Sequence, residues 1–212
     1  MVRFFFHKME INFTDHGFAP QEYSEYSQEH EEPPSAHLQE LNPTDLAMIF
    51  AAADKDNDGE IGARELQATL SSATLMSFNL SLCELLINMF DRHGKGSVQV
   101  DDFIALWKYI NDWSNSFRSF DVDGSGNINQ KEFTTALGSF GYNLNPTLTN
   151  LLMFKFDRHG EGTLRFDDFV QCCIILHSVS GAFRNMDRDR DGFITISYEQ
   201  FISIVVSIAI NR

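Results

Sequence analysis

DKDNDGEIGARE (Asp54 to Glu65) and DVDGSGNINQKE (Asp121 to Glu132) decide how this chain folds. Each starts with Asp, places oxygen side chains at positions 3 and 5, Gly at position 6 and Glu at position 12. A calcium ion takes about six to eight oxygen ligands, and a twelve-residue loop with this spacing wraps them around it. The Gly makes the sharp turn, a backbone carbonyl at position 7 adds a ligand, and the Glu closes the cage with both oxygens. Two complete matches in 212 residues are not accidental. Three further stretches open in the same way, at Asp91, Asp157 and Asp187. The residues therefore imply calcium binding, and a function that depends on what calcium changes.

The five loops start 37, 30, 36 and 30 residues apart. A loop takes twelve residues, which leaves 25, 18, 24 and 18 between successive loops. Twenty-five residues hold two helices and a turn, whereas eighteen hold one continuous helix of about 27 Å. One helix should therefore leave the second unit, or hand, and enter the third; another should join hands four and five. Such helices need two apolar faces. Phe103, Leu106, Trp107 and Ile110 form one stripe on the first, and Tyr109, Trp113, Phe117 and Phe120 the other. Phe169, Cys172, Cys173 and Leu176, then Val179, Phe183 and Met186, repeat this on the second. Helix starts are signalled by Asn42-Pro43, by a capping box from Ser81 to Glu84, and by Asn145-Pro146. Extended backbone is expected only at position 8 of each loop, Ile61, Val98, Ile128, Leu164 and Ile194, where two hands pair in a tiny antiparallel ladder. The implied fold is all-α: five helix–loop–helix hands in one compact domain, residues 45–212, with loops at 54–65, 91–102, 121–132, 157–168 and 187–200.

Five is an odd number, so hand five lacks a partner within the chain. Its exit segment, Phe201 to Ile210, is too apolar for a helix buried on one side. Pairing of two fifth hands about a two-fold axis, through Ile194, Phe201, Ile204, Val205 and Ile208, would cover it. The alternative is that the helix tucks into its own core.

The formal charge of −14 argues against nucleic acid or an anionic membrane surface as resting partner. Cys83, Cys172 and Cys173 form no CxxC and read as reduced thiols of a cytosolic protein. Neither VRFFFHKM at the start nor FISIVVSIAI near the end is long enough for a signal core or a membrane span. Residues 1–44 hold eight acidic residues against Arg3 and Lys8, and four of the seven histidines without metal-site spacing. They read as a flexible acidic tail, in which Phe4-Phe5-Phe6 has no explanation. With no nucleophile motif or phosphate-binding loop, no enzyme activity is expected.

The five loops are not equal. Hand one offers Asp54, Asp56, Asp58, the Glu60 carbonyl and Glu65; hand three offers Asp121, Asp123, Ser125, the Asn127 carbonyl, Asn129 through water, and Glu132. Both should bind with dissociation constants of about 0.1–10 µM. Hands two and four carry His93 and His159 where a hard cation wants oxygen. Lys95 and Arg165 add positive charge, and the twelfth residue is the shorter Asp102 or Asp168. A structural role is expected for both. Hand five has Asp187, Asp189, Asp191 and the Phe193 carbonyl but Tyr198 at position 12, which predicts weak binding.

The stretches FAAADKDNDGEI, LWKYINDW with FRSFDVDGSG, ALGSFGYNL, FDRHGEGTLRFDDFVQCCI and MDRDRDGFITISYEQF resemble the penta-EF-hand family over about residues 45–212. The complete first loop is similar to the apoptosis-linked branch of that family rather than the branch of sorcin, grancalcin and calpain subunits. The resemblance implies an EF-hand fold and a two-residue insertion in loop five, with a weak or magnesium-tolerant site. It also implies a calcium adaptor, dimeric through hand five with itself or another such chain. Its targets would be Pro-rich peptides of vesicle-trafficking, membrane-repair or cell-death proteins, with Trp107, Tyr109, Trp113, Phe140 and Tyr142 as candidate pocket residues. Aromatics at helical spacing also fit ordinary core. A calcium buffer without a target and a regulatory subunit of a calpain-like protease remain alternatives. The implied location is the cytoplasm, with calcium-dependent, indirect recruitment to endomembranes, or the nucleus.

Overall fold

Asn42 and Asn145 each accept a hydrogen bond from the backbone three residues on, and Pro43 and Pro146 take the first helical position. A proline lacks the N–H that a first turn leaves unpaired, so these dipeptides start helices at no hydrogen-bond cost. The computed structural model describes residues 41–74 and 76–209. The acidic segment with its histidines and Phe4-Phe5-Phe6 lies outside them, and the first helix begins within the stretch assigned to the tail.

Eight helices run through the described residues: α1 (Pro43–Ala53), α2 (Ala63–Thr74), α3 (Leu80–Phe90), α4 (Val100–Phe120), α5 (Gln130–Ser139), α6 (Pro146–Phe156), α7 (Phe166–Met186) and α8 (Tyr198–Ala209). The shared helices α4 and α7 are each 21 residues, about 32 Å, because the last positions of a loop already belong to its exit helix. Loops pair as expected. Ile61 and Val98 exchange N–H···O bonds of 2.9 and 3.0 Å, and Ile128 and Leu164 two of 2.8 Å. Ile194 has no such bridge among the described residues.

The two stripes of α4 hold the halves of the molecule together. On one, Phe103 is fully buried and meets Phe50 of α1 edge-on at 5.7 Å. On the other, Trp113 and Phe117 pack on Phe169 of α7 at 6.0 and 5.6 Å. Full burial of a phenylalanine is worth about 2–3 kcal/mol, and each edge-on aromatic pair adds about 0.5–1.5 kcal/mol. In α7, Phe169, Cys172 and Cys173 are core, but Val179 and Met186 of its second stripe are exposed, because hand five has no partner hand here. Burial pushes the Cys83 and Cys172 thiols up to about 12, so they act as small apolar groups.

One helix start differs from expectation. The capping box from Ser81 to Glu84 does not form; Asn79 caps α3 by accepting from Leu82 N at 2.7 Å. The reason is tertiary. Asp167 of α7 accepts from both the backbone N and the Nδ2 of Asn79, at 2.9 and 2.8 Å, and fixes it at the cap.

Candidate metal centres

Each loop is closed first by its leading Asp. Asp54 accepts from Asp58 N (3.1 Å) and Gly59 N (2.9 Å), and Asp121 from Ser125 N (2.9 Å) and Gly126 N (2.8 Å). Gly59 and Gly126 sit at φ +82° and +78°, in the left-handed region that a side chain disfavours. That turn brings the chain back over the first carboxylate and aims the following side chains inward.

The twelfth-position Glu closes the other side. Glu65 accepts from Lys55 N (3.2 Å) with one oxygen and Gly62 N (3.1 Å) with the other. Glu132 does the same with Val122 N and Asn129 N, both at 2.9 Å. Each Glu thus spans from the start of its loop to the first turn of the exit helix, α2 or α5. Three carboxylate groups converge in each case: Asp54, Asp56 and Glu65, and Asp121, Asp123 and Glu132, with one oxygen from each within 4.8 Å of the others. Asp187, Asp189 and Asp191 form a third such group in hand five.

Of the other expected ligands, Asp58 accepts from Glu60 N at 2.8 Å, and Ser125 Oγ donates to the Asn127 carbonyl at 2.9 Å. Phe193 N donates to Asp191 at 2.8 Å while its ring is exposed. In hand one, the Asp58 N–H lowers the Asp56 pKa, but the charges of Asp58 and Glu65 outweigh it and the net shift is upward. Such a cluster of like charges favours a bound cation. In hand three, the Ser125 hydroxyl and then its N–H hold Asp123 below the usual carboxylate range.

Hand five closes differently. Tyr198 and Glu199 are exposed, and Gln200 takes the part of the closing Glu: Ser197 N donates to its Oε1 at 2.9 Å, as Gly62 and Asn129 do to Glu65 and Glu132. The two extra loop residues shift the equivalent position to 200. Spacing at twelve residues pointed to Tyr198, whereas the two-residue insertion that the resemblance implies ends the loop at 200, and the S-x-x-Q spacing of Ser197 and Gln200 agrees with it.

Four basic contacts of hands two and four were not legible in the sequence. Lys95 and Ser97 bond the side chain of Glu60 in hand one, and Lys95 first, then Ser97, pulls that carboxyl down to about 2. Arg92 pairs with Asp102, and Arg158 Nε lies 3.1 Å from Asp168. Arg165 turns onto Glu161 at 2.7 Å.

Of the candidate pocket residues, Trp107, Tyr109 and Trp113 are buried in the core, and Phe140 and Tyr142 lie half-buried at its edge. Phe140 caps the C-terminus of α5 and meets Trp113 edge-on at 6.0 Å. Among the dimer candidates, Phe201 and Val205 are exposed and Ile194 and Ile204 half-buried; the side chain of Ile208 lies outside the described residues.

The EF-hand domain pair model matches residues 43–108 and again 110–174, and an EF hand model matches 179–197. Peflin of Danio rerio is 39% identical over 168 residues, covering 79% of this chain and 62% of the relative. Sorcin of Schistosoma japonicum is 38% identical over 170 residues, covering 80% of this chain and 99% of the relative. The chain spans 56% of human peflin and 62% of the Danio rerio protein, somewhat over half the length of these relatives. A solved structure of a homolog of programmed cell death 6 protein from Leishmania major Friedlin matches with a TM-score of 0.67 and 37% identity, covering 77% of this chain and 93% of that one.

Proposed function

This chain belongs to the penta-EF-hand family of calcium-binding proteins, and from that membership we propose that it is a calcium sensor that works as an adaptor. Ions enter hands one and three, and more weakly hand five. The entry of an ion moves α2 and α5, and the apolar surface so uncovered captures a Pro-rich peptide of a target protein. One observation carries this reading: Glu65 and Glu132 each belong both to a carboxylate cluster and to the first turn of an exit helix. An ion that draws the Glu inward must therefore move the helix.

In hand three the motion has a defined destination. Rotation of α5 parts Phe140 from Trp113, which opens the aromatic seam between α4 and α5. Calcium at ten times its dissociation constant supplies about 1.4 kcal/mol per site, so two sites give about 2.8 kcal/mol. That factor of about a hundred brings a one-per-cent open state near parity, and target binding must supply the rest.

Titration calorimetry of the full chain tests the reading. Micromolar uptake is expected, and E65Q/E132Q should abolish it while weak uptake at hand five remains. A hydrophobic dye should brighten on calcium addition, and the emission of Trp113 should shift. Uptake without either optical change would make the protein a calcium buffer instead.

A further inference from the structure

We propose that the guanidinium groups of Arg92 and Arg158 stand in for the metal ion in hands two and four, and so determine that calcium does not enter them. The inference rests on the reading that hands one and three take ions at their twelfth-position carboxylates.

Hands two and four share the sequence DRHG-x-G, with Arg at position 2 and Asp at position 12. In both, the structure joins those two positions. Arg92 donates from Nε to Asp102, and Arg158 Nε lies 3.1 Å from Asp168 Oδ1 while its other arm donates to Gln171 of α7. Asp102 and Asp168 are buried almost completely, with side chains 3% and 0% exposed. A carboxylate so far from water needs a counter-charge or a proton.

In hands one and three, position 2 is Lys55 or Val122, and it contributes a backbone N–H to the closing Glu. The same site in the loop is thus filled in two ways. Where the closing residue is Glu, the counter-charge must come from outside as a divalent ion. Where it is Asp, one methylene shorter, a guanidinium from within the loop supplies it. Arginine suits this because its planar fork stays charged at any physiological pH; in hand two its Nε donates to the carboxylate, and in hand four it stands beside it as an ion pair without a hydrogen bond. Histidine at position 3 matters less in this account, since it is a poor ligand but leaves room for an ion.

The consequence is a division of labour within each pair. The hand with an internal cation keeps its closing carboxylate neutralised with or without calcium. It presents Val98 or Leu164 to the bridge as a fixed edge, against which the responsive hand moves.

Hand four gives the cleaner test, because its second cation, Arg165, is held by Glu161 within the same loop, whereas Lys95 of hand two reaches into hand one. Full-length E65Q/E132Q serves as background, so that ion uptake at hands one and three is removed first. If that background still binds calcium with unchanged micromolar affinity, the functional reading above fails, and this is known before any arginine is altered. Adding R158Q should lower the melting temperature in chelator. Millimolar calcium should restore it, and equilibrium dialysis should count one more bound ion per chain than the background. The neutral pair R158Q/D168N should fold, melt near the background in chelator and bind no additional ion. Should R158Q not fold in chelator, that double variant carries the test alone. Equal destabilisation of R158Q with and without calcium, no additional ion, or a double variant as unstable as R158Q would each overturn the proposal.

Discussion

Before any ion arrives, a closing Glu already holds backbone N–H groups at both ends of its loop, whereas Gln200 holds one. The amide satisfies the first turn of α8 but brings no charge to Asp187, Asp189 and Asp191. Q200E should therefore tighten calcium at hand five by about tenfold, since ligand charge sets affinity in these loops. Calorimetry on E65Q/E132Q with and without Q200E reads this directly, and unchanged affinity would place the equivalent position elsewhere. Asp168 makes a second prediction. Burial first, and the neighbouring Asp167 second, raise its pKa to about 6 against the ordinary 3.8, with Arg158 opposing. A carboxyl raised on folding takes up its proton in the folded state first. Its contribution to stability therefore grows as pH falls from about 6 toward 3.8, and is at its minimum above 6. Relative to D168N, the wild type should gain on the order of 1 kcal/mol between pH 7.5 and 4.5 in chelator, read by urea denaturation. The acidic ligands were legible because ligand chemistry repeats at fixed spacing. Position 200 was legible only as the end of a loop lengthened by two residues, not as a closing group, and Arg158 and Lys95 were not legible, because contacts across the loops decide their roles.

At the scale of the helix, 18-residue gaps and double apolar stripes were enough to place α4 and α7 as shared elements, since one length and one periodicity leave no other solution. The start of α3 was not readable in the same way. Local sequence offered Ser81 with Glu84 as the cap; a carboxylate 88 residues away fixes Asn79 there instead. Asp167 lies 4% exposed, at the positive end of α3, and ties hand two to hand four. N79A removes the cap and one bond to that buried carboxylate. It should cost about 2–3 kcal/mol in chelator. S81A, at the site the local motif favoured, should stay within about 0.5 kcal/mol. Denaturation curves that showed the reverse order would return the cap to Ser81.

For the whole molecule, the unpaired hand is the surface from which association with another chain is predicted. Phe201 is 52% exposed, and Ile202, Val205 and Val206 expose about two-fifths of their surface along α8, with Val179 and Met186 of α7 also exposed. Exposed apolar side chains in such a run mark a surface that is covered in use. Ile194 stands where Ile61, Val98, Ile128 and Leu164 find partners, and a second fifth hand offers the same edge in the opposite direction. The closing Glu that would couple this hand to calcium is absent, so association through it should not depend on the ion. Sedimentation at micromolar concentration should give twice the chain mass of 24.2 kDa in chelator and in calcium alike. F201D/V205D places two charges on the exposed face and should give the single mass, with calcium uptake at hands one and three unchanged. A wild type that stays at the single mass in both conditions would mean that this face awaits a different chain, as a regulatory subunit's would. A dimer that forms only with calcium would mean that α8 is linked to the ion sites after all, through α7.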